Sequence, residues 1–87
     1  MKLAILDTSK YGLPSQRRKI TEEFLELREA NNKCDEIAEA LDLIQATVSY
    51  INKIATTREI IKAIRQHNKK LLGRGWKIEK YFKIKGE

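Results

Sequence analysis

Cysteine, histidine and proline occur once each among the 87 residues. A single cysteine excludes an internal disulfide, and with a single histidine it cannot complete a four-ligand zinc site. A reducing, cytoplasmic setting is therefore expected. Cys34 reads as a small packing residue and His67 as a half-buried or edge histidine of the last helix. Aromatic residues make up only 7% of the chain and apolar residues 41%, enough for one small helical domain with a thin core. In so small a domain an oligomer partner or a ligand is expected to add stability. No apolar run approaches the roughly 20 residues of a membrane span. The opening MKLAILDTSKYG has too short an apolar stretch for a signal peptide, so neither membrane attachment nor processing is expected. The sequence reading finds no glycine-rich phosphate loop, paired-carboxylate arrangement or nucleophile elbow. On that reading the chain is not an enzyme and has no catalytic residue, cofactor or metal.

What the chain has is basic charge, unevenly placed. The formal charge is +6, the balance of a chain that meets phosphate polyanions. Residues 34–55 sum to −3, with Lys53 against Asp35, Glu36, Glu39 and Asp42, whereas residues 56–87 sum to +7. Affinity for phosphate would then come from the C-terminal third and from Arg17, Arg18 and Lys19.

Periodicity predicts a mostly α chain forming a single domain over 1–87. Residues 1–14 read as an N-terminal strand or arm, with KLAIL at 2–6 its strand. GLPS at 12–15 is a turn whose Ser15 caps a helix over 16–31. In that helix Ile20, Phe24, Leu27 and Ala30 share one face. Thr56 and Glu59 have the spacing of a capping box and start a helix over 57–72, which stops at Gly73-Arg74-Gly75. Beyond it Trp76, Ile78, Phe82 and Ile84 fall at even offsets, the period of a strand or wing over 76–85.

Between these helices lies CDEIAEALDLIQATVSYINKI, Cys34 to Ile54, with the offsets of a helix-turn-helix at 35–54. Ile37, Ala38 and Leu41 would line a first helix over 35–41. Leu43 would plug the turn, and Val48 and Ile51 would anchor a second helix over 45–54. Ala38, ten residues before Val48, would let the two backbones approach where they cross.

With EIAEAL followed by TVSYI as its strongest part, the run from Ile20 to Ile54 resembles the helix-turn-helix of bacterial and phage transcription regulators of LuxR-like or Trp-repressor-like type. The chain has Asp42 where that motif usually has a turn glycine, and Ile44 where it usually has a capping Ser or Thr. The resemblance implies a sequence-specific reader of double-stranded DNA, a repressor of phage or mobile-element type. Gln45, Ala46, Thr47, Ser49 and Tyr50 would meet base edges in the major groove, and Lys53 would hold a phosphate. Arg17, Arg18, Lys19, Arg74, Lys77, Lys83 and Lys85 would hold further phosphates. Useful specificity usually needs two copies, and helix 57–72 is the candidate homodimer surface. A reading from another class is a small interaction factor that grips host machinery such as RNA polymerase. A DNA-packaging or replication accessory protein is a third.

Overall fold

A computed structural model describes residues 2–81 and forms three α-helices there: α1 (Leu13–Glu29), α2 (Lys33–Ile54) and α3 (Thr57–Gly73). The chain is mostly α, as its periodicity predicts. It divides into two compact units, residues 3–54 carrying α1 and α2, and a second built on α3.

In the first unit, α1 starts three residues earlier than expected. Gly12 precedes the helix without a side-chain cap, and Pro14 occupies the first turn, where its missing N–H costs nothing. Ser15 is already inside the helix and accepts a hydrogen bond from Arg18 Nη2 at 3.3 Å. Ala30, in extended conformation, ends α1. Asn32 starts α2, its Oδ1 accepting from the Asp35 amide at 2.9 Å while its Nδ2 donates to the Asp35 carboxylate at 2.8 Å. A connection this short turns the chain back on itself as a helical hairpin. The two helices run antiparallel: Arg17, near the start of α1, donates to the Tyr50 hydroxyl near the end of α2 at 3.3 Å, and Glu26 meets Glu39 near the turn.

The largest correction concerns 35–54. Helix α2 runs 22 residues without a break, so the turn expected at 42–44 is absent and no separate second helix begins at Gln45. The physical reason lies in the residues themselves. LDLIQAT contains neither glycine nor proline. Asp42 avoids the cost of a left-handed conformation, since no non-glycine residue described has positive φ. Thr47 Oγ1 donates to the Leu43 carbonyl at 2.8 Å, a bond within one helical turn that spans the expected break. The residues expected on the inner face of a first helix lie outside instead: Ile37 is 55% and Leu41 46% exposed.

Which side of α1 faces α2 also differs from expectation. Gln16, Ile20, Glu23, Leu27 and Ala30 follow a four-three spacing along one side and are buried or half-buried, while Phe24 is exposed. No apolar side chain among the described residues is buried; the three buried ones are Gln16, Glu23 and Ser49. Polar groups thus hold the positions where a hairpin of this kind normally places its core.

Residues 3–11 run along α2 as an extended strap, not as a strand. Gln45 Nε2 donates to the Ala4 carbonyl at 3.3 Å, the Leu6 amide to Ser49 Oγ at 3.3 Å, and Lys53 Nζ to the Thr8 carbonyl at 2.9 Å. The strap closes in a turn, with the Ser9 amide donating to Asp7 Oδ1 at 3.0 Å and the Tyr11 amide to the Thr8 carbonyl at 3.0 Å. The Ser9 bond holds the Asp7 carboxyl below the ordinary carboxylate range.

The second unit follows its sequence closely. Thr56 and Glu59 form the capping box, the Glu59 amide donating to Thr56 Oγ1 and the Thr56 amide to Glu59 Oε1. At the other end the Trp76 amide donates to the Leu71 carbonyl at 3.1 Å and the Gly75 amide to the Leu72 carbonyl at 3.0 Å. This is the Schellman arrangement, and it requires the positive φ of +87° that Gly75 adopts. The strand expected over 76–85 does not form over 76–81, where the backbone has no ladder partner. Phe82, Lys83, Ile84 and Lys85 lie outside the described residues.

Candidate metal centre and its cavity

Helical spacing places Glu23 and Glu26 on one side of α1, and Glu39 and Asp42, also three apart, on one side of α2. The antiparallel hairpin brings the two pairs face to face. One carboxylate oxygen from each of the four lies within 4.8 Å of the others. Oxygens sharing one cation can be at most twice the metal–oxygen distance apart, about 4.2 Å for Mg2+ and roughly 4.6–5.2 Å for Ca2+. The cluster is therefore the right size for a hard divalent ion, or a few tenths of an ångström open for the smaller one.

The balance of partners points the same way. Glu23 is only 4% exposed. Its Oε1 accepts from Lys19 Nζ at 2.6 Å, but its Oε2 is buried without a hydrogen-bond partner, as is Glu39 Oε2. A buried carboxylate oxygen with no donor is costly unless a cation meets it. The Glu26 carboxyl is held above the ordinary carboxylate range, chiefly by its hydrogen bond with Glu39 and then by the charge of Glu23. Crowded acids respond in this way when only protons are available to neutralise them. Lys19, hydrogen-bonded to Glu23, is raised above the ordinary lysine range. The all-oxygen donor set suits Mg2+, Mn2+ or Ca2+ better than a softer metal.

Beside the cluster a cavity of about 670 Å³ opens between α1, α2 and the strap. Glu22, Glu23 and Asp42 line it, together with the cations Arg18 and Lys19. Tyr11 contributes an aromatic ring, Gln16 and Gln45 amides, and Leu6 and Ala46 apolar surface. A carboxylate cluster, nearby cations and an aromatic ring around one concave space are the parts needed to hold a metal-bound phosphate ester with an organic group attached.

The residues expected to meet DNA lie elsewhere in this scheme. Gln45, Ser49 and Lys53 fasten the strap and Tyr50 bonds Arg17. Thr47 bonds its own helix, and Ala46 lines the cavity. Arg18 bonds Ser15, and Lys19 serves the acidic cluster. In the other unit Arg74 caps α3 and Lys77 is exposed beyond it; Lys83 and Lys85 are outside the described residues. The expectation that paired carboxylates are absent is corrected by the cluster itself. Its signal was present as EEFLE at 22–26 and EALD at 39–42. The linear sequence does not show the four together, because Glu39 falls on the expected first motif helix, Asp42 at the expected turn, and Glu23 and Glu26 on a separate helix. No protein-family model, curated protein or solved structure matches this chain.

Proposed function

We propose that the chain is a divalent-cation-dependent hydrolase acting on the phosphoanhydride of a nucleotide. The observation that carries this reading is the four-carboxylate cluster with its orphaned Glu23 and Glu39 oxygens. Glu23, Glu26, Glu39 and Asp42 would hold the cation. When bound there, a hard cation neutralises phosphate charge and lowers the pKa of a water. The protein's own side chains supply the rest. Arg18 at the cavity wall, with only Nη2 given to Ser15, pairs with phosphate oxygens, while Lys19 stays with Glu23. Glu22, on the wall but outside the cluster, accepts the proton of the attacking water as it adds to phosphorus and the anhydride oxygen leaves with the second phosphate. Tyr11 and the amides border the space for the nucleoside.

The test is hydrolysis of nucleoside triphosphates by the full chain with Mg2+ or Mn2+, followed by phosphate or pyrophosphate release. Activity that requires the cation and falls at least about 100-fold in Glu39→Gln supports the reading; losing a ligand should cost more than the 10- to 100-fold of an outer-shell partner. Hydrolysis that survives chelation, or the absence of any hydrolysis, refutes it. The competing proposal, a helix-turn-helix reader of duplex DNA, requires Gln45, Ser49, Tyr50 and Lys53 to leave their present partners. Duplex selection that depends on Gln45 and Thr47, with no cation-dependent hydrolysis, would favour it.

A further inference from the structure

Gln16 stands in the α1 seam where an apolar residue would pack best. It is 9% exposed, lines the cavity, and its side-chain amide makes no hydrogen bond among the described residues. Its amide is not sealed in the seam: among the described residues the buried side-chain polar atoms without a partner are Glu23 Oε2 and Glu39 Oε2, so the free Gln16 amide atoms are reachable from the cavity. Of the other polar side chains on the cavity wall, Gln45 spends its Nε2 on the strap and Ser49 accepts from the strap through Oγ. The Gln16 amide offers two donor hydrogens and one acceptor oxygen in a plane, matching the adjacent donor and acceptor atoms on the edge of a nucleobase. Across the cavity the strap contributes Tyr11 and Leu6, a ring and an apolar surface for the flat face of such a base.

Resting on the hydrolase reading above, we infer that Gln16 is the residue that recognises the nucleobase, pairing with its edge, and so sets which nucleotides enter. Gln16 is a specificity-determining residue and takes no part in bond cleavage. A site built to hydrogen-bond a substrate group rejects analogues that lack it far more strongly than an apolar pocket does. Bare polyphosphate, which has no base, should be indifferent to position 16.

The experiment compares nucleoside triphosphates with inorganic tripolyphosphate on the full chain, as wild type, Gln16→Leu and Gln16→Glu. Gln16→Leu fills the seam with similar volume; its helicity and thermal midpoint are checked by circular dichroism. The expected result is a 10- to 100-fold rise in KM for the nucleotides with kcat within about threefold, and unchanged constants for tripolyphosphate. Gln16→Glu, which loses the donor but keeps the shape, should reorder the preference among bases. Equal losses on both substrates, or no change on either, would overturn the assignment. Wild type that cleaves tripolyphosphate as well as any nucleotide would overturn it while leaving the hydrolase reading intact. Wild type inactive on both would remove the hydrolase reading and this inference together.

Discussion

Residues 3–54 and the segment from residue 55 onward are both helical, yet they distribute polar groups in opposite ways. The hairpin unit carries nine acidic against seven basic residues and draws two of the acids inward, Glu23 buried and Glu39 half-buried; its buried side chains are Gln16, Glu23 and Ser49, all polar. The α3 segment carries ten basic against three acidic residues. Among its described residues no side chain is buried, and Ile61, Ile64 and Leu72 are exposed. Its definition comes from its ends, a capping box and a Schellman turn, both made by neighbours in sequence. The hairpin's centre is made by residues up to 19 positions apart, Glu23 and Asp42. Local chemistry is sufficient to delimit a helix. Gathering four carboxylates takes two helices in register, and that arrangement gives up core stability for a charged site.

If the cluster binds a divalent cation, the two units should separate in their response to it. At a free concentration 100 times Kd, binding stabilises the native state by about 2.7 kcal/mol. Amide exchange in α1 and α2 should slow on adding Mg2+ or Mn2+ while exchange in α3 stays as it was, and Glu39→Gln should abolish the difference. Uniform protection of all three helices would break the contrast. Within α2, amides 42–47 should exchange as slowly as the rest of its centre; rapid exchange there would restore the turn.

Smaller effects probe α3. Gly75→Ala places a Cβ on a backbone with φ of +87° and should destabilise α3 by about 1–2 kcal/mol. Thr56→Ala removes the cap at about 1 kcal/mol. Both should fray α3 without altering cation binding by the hairpin, which titration calorimetry would check.

The smallest effect is one of sign. Glu26 has a raised pKa in the folded chain, so without metal its contribution favours the hairpin at low pH. That contribution is lost as pH climbs from the ordinary carboxylate value through the raised one. Glu59, lowered by its hydrogen bonds to Thr56, behaves in reverse. Its contribution is present above the ordinary value and is lost as pH falls through the lowered one. Resonance-by-resonance titration should therefore show acid favouring the metal-free hairpin before it loosens the start of α3. Glu26→Gln should remove only the first response.

The sequence by itself determined the elements that depend on near neighbours. The helical class, the capping box at Thr56 and Glu59, and the stop at Gly73–Gly75 were all legible because their hydrogen bonds span six residues or fewer. The face of α1 was half legible: Ile20, Leu27 and Ala30 were placed correctly, but an apolar period selects Phe24 over Glu23, and only the partner helix shows that the carboxylate lies inside. The continuity of α2 was misread from an offset pattern, although no glycine or proline was present to break it. The acidic cluster and the strap were decided by tertiary structure. A carboxylate on a helix has the same sequence signature whether it meets water or three other carboxylates, and only the antiparallel register of α1 against α2 distinguishes the two.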